Sequence, residues 1–339
     1  MARSPRDGRV PVLTGVKESD MRFNPKARLD TSRVRDVGGS SGGGGGAGGG
    51  GMRIPIPGGT KAGGGIGGVL IVILFLVLTQ CMNNGGTGGL PLPDNGLNTS
   101  RMAGSDTGRY ANCKTGADAN ENVDCSRVAV ENSLYNYWSK ALPEQSDAQF
   151  QPEAMQTFSG GTSTGCGDAT AEVGPFYCPV DATIYLDTTF FEQVLQQQLN
   201  GPSGAFVEPY VVAHEDGHHI QNLLGTMGQV KTQQGPNSDS VRLELQADCY
   251  AGMWAKNATS TNTADGEPLL LDLTDEDIQQ AIAAAKAVGD DRIQQQTTGR
   301  VNKEQWTHGS AAARVKWFQT GFSEGTLQAC DTFAPATVE

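Results

Sequence analysis

The chain has 339 residues, with 25 Lys and Arg against 37 Asp and Glu, a net charge of −12 and 46 glycines. That length holds one or two domains, and the acidic balance excludes nucleic acid as the expected partner, because binding phosphates needs a basic face that releases their counterions. The charge is uneven: residues 1–61 carry eleven basic and five acidic side chains, and none falls between Ala62 and Cys81.

Taken in chain order, residues 1–61 read as a disordered, Gly-rich tail, since Gly38 to Gly59 is mostly Gly with Ser, Ala and two prolines and has no core to form. Residues 62–82 are uncharged and largely apolar. As a helix, about 20 such residues cross roughly 30 Å of hydrocarbon, which predicts one transmembrane helix. The stretch starts too far along the chain for a cleaved signal peptide. Arg and Lys crowd its N-terminal side, whereas the first charge beyond it is Asp94. The positive-inside rule therefore predicts a cytoplasmic N-terminus, a single pass through the cytoplasmic membrane and an extracytoplasmic remainder. Residues 83–107 read as a polar linker, and residues 108–335 as the folded domain.

The cysteines agree with that placement. Cys81 stands at the edge of the apolar stretch, and six more follow it, an even number in a compartment where disulfides persist. Short spacings favour Cys113–Cys125 and Cys166–Cys178, leaving Cys249–Cys330 as the long-range pair. Within the domain, Val123, Val130, Leu134 and Tyr137 recur at helical spacing and predict a helix over 119–141. Gly and Pro punctuate β-branched and aromatic runs at 172–178 and 182–186, the pattern of a hairpin. Helices are then predicted over 188–199, 208–224, 238–257, 274–288 and 309–321. Strands ahead of a run of helices indicate an α+β domain, mostly helical with a small β-sheet.

The 208–224 helix carries His214-Glu215-Asp216-Gly217-His218. Residues four apart share a helix face, so His214 and His218 can direct imidazoles at one metal ion while Glu215 reaches a water beside it. Neutral imidazoles hold Zn²⁺ without cancelling its charge, and a carboxylate can move the water proton to a leaving amine. A third ligand is needed. Glu244 and Asp248 sit four apart on the following helix, so Glu244 can complete the site while Asp248 orients a ligand histidine. Asp248 or His308 are the alternatives for third ligand. His308 has two readings of equal weight: a donor to the developing oxyanion, or a structural residue ahead of a helix capped by Ser310. His219 is expected to point away from the metal, and Arg314 and Tyr185 are weaker candidates. Phe176 to Leu186 could supply an edge strand for an extended peptide.

The segments His214 to Gly225, Glu244 to Trp254, Gly174 to Asp181 with Ile184 to Asp187, His308 to Ser310 with Arg314 to Phe318, and Cys330 to Phe333 together resemble the bacterial neutral zinc metallopeptidase family. The resemblance covers about 108–335 and extends to a single-span, Gly-rich N-terminal layout. It implies a zincin-like metallopeptidase with one Zn²⁺, His214 and His218 as ligands and Glu215 as base. The Glu244-x-x-x-Asp248 segment is similar to the second motif of thermolysin-like enzymes, which implies Glu244 as ligand with Asp248 behind a histidine. The polar insertion from Gly228 to Ser240 departs from that motif spacing. The reading is a membrane-anchored zinc endopeptidase acting on protein or peptide substrates. Its rivals are a non-cleaving zinc- or peptide-binding module and an intramembrane protease. The second fails because His214 lies over 130 residues beyond the apolar stretch.

Overall fold

The computed structural model describes residues 21–39, 105–170 and 173–339. The predicted transmembrane helix at 62–82, most of the tail and nearly all of the linker fall outside these residues. Among the described residues no helix is long and apolar enough to cross a membrane.

One expectation is corrected at once. The folded unit does not start near Gly108, because residues 21–39, read as part of the tail, belong to it. Strand β1 (Arg22–Phe23) pairs antiparallel with β8 (Leu270–Asp272), and β2 (Val34–Gly39) pairs parallel with β3 (Ala154–Ser159). Phe23 is only 1% exposed, and the Asn120 side chain bonds both its N–H and its C=O. Asn132 does the same for the backbone of Asp30. Arg33 is buried against Glu131, Nη2 to Oε2 at 3.2 Å, with its guanidinium 4.0 Å over the Tyr135 ring. The basic character that was counted toward a cytoplasmic flank is thus partly paired within the fold. A Cβ on Gly116 would stand 2.0 Å from the Asn24 carbonyl oxygen, so glycine is what lets the segment lie this close.

The main sheet among the described residues has four strands in the order β2-β3-β7-β6, with β7 (Thr183–Asp187) parallel to β3 and β6 (Phe176–Cys178) antiparallel to β7. The predicted hairpin is therefore present, and β6 forms one edge. A small hairpin of β4 (Gly161–Thr164) and β5 (Gly167–Thr170) precedes it. The predicted 119–141 helix is two: α1 (Gly116–Glu121) and α2 (Val123–Gln145). The break is at Asn122, whose backbone is extended and whose side chain accepts from the Asp124 N–H, capping the second helix. The 188–199 prediction corresponds to a single wide turn at Phe191–Gln196.

The remaining helices fall where apolar spacing placed them: α3 (Val207–Leu223), α4 (Asp239–Asn257), α5 (Asp275–Ala287) and α7 (Ala311–Glu324), with α6 (Asp290–Thr298) added between the last two. Caps fix their starts. Ser238, Thr274 and Ser310 each accept a backbone N–H from three residues on. Helix α4 is the axle of the core, buried from Ser240 to Ala255. It meets α7 backbone to backbone, since a Cβ on Gly321 would lie 1.8 Å from the Cys249 carbonyl oxygen. Phe206 stacks on Trp254 at 5.6 Å, fastening α3 to the far end of α4. All three expected disulfides are present: Cys113–Cys125, Cys166–Cys178 and Cys249–Cys330. The last closes 81 residues, a loop whose entropy in the unfolded chain is worth about 4–5 kcal/mol.

Removing Arg33 leaves the Glu131 carboxylate buried without its cation. Arg33→Ala is expected to cost about 3–5 kcal/mol of folding stability, read by denaturant unfolding of the full chain. A loss below about 1 kcal/mol, the size expected of a surface pair, would mean that residues 21–39 are not part of the unit.

Candidate metal centre

The site is made by the crossing of α3 and α4. At Gly217 a Cβ would stand 3.0 Å from the Ala247 carbonyl oxygen, so a larger residue there would push the helices apart. The close approach sets the histidine face of α3 against the acidic face of α4. The His214 and His218 rings lie 4.9 Å apart. His214 Nε2 is 3.2 Å from one Glu244 oxygen, and His218 Nε2 is 3.5 Å from the other. Ligand atoms of His214, His218 and Glu244 all fall within 4.8 Å of one another, and all three residues are buried. Two imidazoles and one carboxylate on a shared point are a three-ligand donor set suited to Zn²⁺, leaving a coordination position for water or substrate.

The outer ring nitrogens are both taken. His214 Nδ1 faces Asp248 Oδ1 at 2.9 Å, and His218 Nδ1 faces Gln221 Oε1 at 2.8 Å. Each acceptor fixes the orientation of its ring and would hold the proton on Nδ1 when a metal ion takes Nε2. Asp248 is itself held by Arg314 from α7 through Nε at 2.8 Å and Nη2 at 2.9 Å, and by the Tyr210 hydroxyl at 2.5 Å. Gln221 is held by the Leu243 carbonyl and by Gln246. Asp248 therefore stands behind His214, not beside the other ligand atoms, which removes it as the alternative third ligand.

Electrostatics follow this geometry. Burial pushes the Asp248 carboxyl up, but Arg314 and then His214 outweigh it and bring it down to about 2. Burial also opposes ionisation of Glu244, yet His308, His218 and His214 hold it well below the usual carboxylate range. Glu215 is different: burial dominates and raises it, although His214 and His218 pull the other way. Its Oε2 accepts the Tyr177 backbone N–H at 2.9 Å, which ties the carboxylate to β6, the edge strand of the sheet.

His308 lies in the loop before α7 and faces the same cavity. It is not among the clustered ligand atoms. Asp290 Oδ2 accepts the backbone N–H groups of Thr307, His308 and Gly309, and so shapes this loop. The charges of Glu244 and Asp290 raise the His308 pKa against the effect of burial. His219 turns away, with Nδ1 on the Tyr177 hydroxyl and Nε2 on the Gln151 carbonyl. Tyr185 bonds Asp181 and takes no part in the cluster. The cavity holds about 120 Å³ and is walled by Val173, Phe176, Phe190, Val211, Met227 and Val288 around the polar centre.

Sequence reasoning missed Gln221, Tyr210 and the Tyr177 amide. Gln221 was legible in principle, three residues after His218 on the same helix. The Arg314 contact with Asp248 spans 66 residues and left no local trace.

Residues 21–333 match the family described as "Putative neutral zinc metallopeptidase". The chain belongs to this family. An uncharacterized protein of Mycobacterium tuberculosis H37Rv is 55% identical over 226 residues, 66% of this chain and 75% of that protein. The uncharacterized protein YpfJ of Escherichia coli K12 is 39% identical over 202 residues, 58% of this chain and 66% of that protein. No solved structure matches the chain.

If the site is assembled as described, Glu244→Ala should abolish tight zinc binding. Asp248→Asn should weaken it by about 10- to 100-fold, since Asn supplies a poorer acceptor behind His214, and Glu215→Gln should leave it intact. Equilibrium dialysis against a zinc chelator checks the series. Unchanged affinity in Glu244→Ala would remove Glu244 from the ligand set.

Proposed function

We propose that the chain is a zinc-dependent endopeptidase with a zincin-like active site, one Zn²⁺ per chain, that cleaves proteins or peptides outside the cytoplasmic membrane. The observation that carries this reading is the convergence of His214, His218 and Glu244 with the Glu215 carboxylate in one cavity. Three disulfides support the oxidising compartment.

Zn²⁺ bound by His214, His218 and Glu244 would polarise the scissile carbonyl and acidify a water. The chain supplies the rest. Glu215, whose pKa is raised by burial, takes the proton of the attacking water and hands it to the leaving amine, a carboxyl tuned toward the range where it can do both. His308, which faces the same cavity from the loop before α7, donates to the oxyanion that forms on the carbonyl. The β6 edge offers main-chain groups to an extended substrate, and the apolar walls favour a large apolar side chain beside the scissile bond. A module that only held zinc would have no need of a carboxylate placed like that of Glu215, which favours cleavage over binding alone.

Hydrolysis of a quenched fluorescent peptide library by the zinc-loaded full chain tests the reading. Wild type should cleave, and Glu215→Gln should lose at least about 10²–10⁴-fold in kcat, the contribution usual for a general base. His308→Ala should lose kcat by about 10²-fold or more with KM little changed. Zinc binding with no cleavage of any peptide would move the assignment to a binding module.

A further inference from the structure

We propose that the β6 edge is one-sided toward a peptide: it accepts N–H groups from an extended substrate lying beside it and returns none. The proposal rests on the peptidase reading in taking a peptide chain as the occupant of the cavity.

In an antiparallel pair the N–H and C=O of one residue point to the same side, and that side alternates along the strand. Tyr177 stands opposite Ile184 in the β6–β7 register, yet its N–H goes to Glu215 Oε2 at 2.9 Å and so turns away from β7. Phe176 and Cys178, opposite Tyr185 and Thr183, are therefore the residues that face β7. Two positions to either side of Tyr177 stand Pro175 and Pro179, and a proline has no N–H. From Pro175 to Pro179 every backbone donor is thus missing, turned into the sheet or held by Glu215. The Tyr177 carbonyl points outward beside its N–H. Pro175, Phe176 and Tyr177 line the cavity that also holds His214, His218 and Glu244. What the edge has for a neighbouring chain is an acceptor.

The strand is fixed against any shift that would free the Tyr177 amide. Its hydroxyl contacts His219 Nδ1 at 3.0 Å and accepts from Asn222 Nδ2 at 3.1 Å, both on α3, the helix that carries Glu215. One residue on, Cys178 is joined to Cys166. Giving the amide to a substrate would also strip a buried Glu215 oxygen of its donor, a loss that buried acceptors resist. A peptide bound as a full ladder would therefore compete with the proposed base for the same N–H.

This limits which substrates fit. A two-way ladder draws affinity from main-chain groups at every second residue. A one-sided edge draws less, so the apolar walls decide more of the selection. The substrate class is an extended peptide with a residue other than proline opposite Tyr177, because proline there has no N–H to give. The same lack of donors hinders a second strand from extending the sheet at β6.

The test is a backbone scan of one peptide that binds the zinc-loaded full chain, read as Kd and, where the peptide is cut, as kcat/KM. Esters remove one N–H at a time, and thioamides weaken one carbonyl acceptor at a time. Away from the scissile bond, one residue should lose about 2- to 10-fold when its N–H is replaced, the size of one hydrogen bond. The same residue should lose nothing when its own carbonyl becomes a thioamide. In Glu215→Ala, where the Tyr177 N–H is released, that thioamide should weaken Kd by about 2- to 10-fold. Equal losses from ester and thioamide at one residue of the peptide on the wild-type chain would show a two-way ladder and overturn the proposal. So would a scan with no ester-sensitive residue, or a Glu215→Ala chain still indifferent to the thioamide. A peptide bound in the one-sided pattern but never cut would remove the peptidase reading and leave this one standing, and no binding of any peptide would remove both.

Discussion

Everything at the metal centre depends on the distance between two helices. α3 and α4 approach until a Cβ at Gly217 would stand only 3.0 Å from the Ala247 carbonyl oxygen. Only at that separation do the imidazoles of one helix meet the carboxylate of the other. The crossing would bury Glu244 and Asp248 at the cost of stripping both from water. It is tolerated because every charge has a counterpart: Asp248 has Arg314 and His214, and Glu244 has the two ligand histidines with His308 nearby. The same arrangement decides which nitrogens face inward, so preorganisation of the ligands and solvation of the buried charges are one feature.

From that crossing the chemistry divides by burial. Carboxylates with cationic neighbours, Glu244 and Asp248, are held ionised as ligand and orienter. Glu215, for which burial outweighs its neighbours, is held closer to exchange. Acids around the same two histidines, Glu215 beside them on α3 and Glu244 and Asp248 across from them on α4, thus differ in how readily they ionise because their surroundings differ.

Local periodicity carried a large part of this into the sequence. His214, Glu215, His218, Glu244 and Asp248 were legible because each lies on a long amphipathic helix, where spacing alone places side chains on a face. The cysteine pairing was legible from short loops and elimination. What was not legible rests on contacts distant in the chain. Arg33 meets Glu131 across 98 residues, and Arg314 meets Asp248 across 66. β1 is two residues long, too short for any alternation to show, and it reads as tail until its partner β8 is known. The split of the first helix at Asn122 was hidden because apolar spacing continues past a residue that caps instead of propagating.

The folded N-terminal segment also changes how the charge bias of the sequence is understood. An Arg-rich stretch ahead of an apolar run looks like a cytoplasmic flank when charge is counted alone, yet Arg22 pairs with Asp272 and Arg33 is enclosed. Charge already spent inside a fold is weak ground for orientation. The account stands most directly on where zinc sits. Anomalous diffraction at the zinc edge from crystals of the zinc-loaded chain should show one peak per chain, bounded by His214 Nε2, His218 Nε2 and a Glu244 oxygen, with Glu215 beside the remaining position. A peak bound by Asp248 or His308 in place of Glu244, or none between α3 and α4, would contradict it.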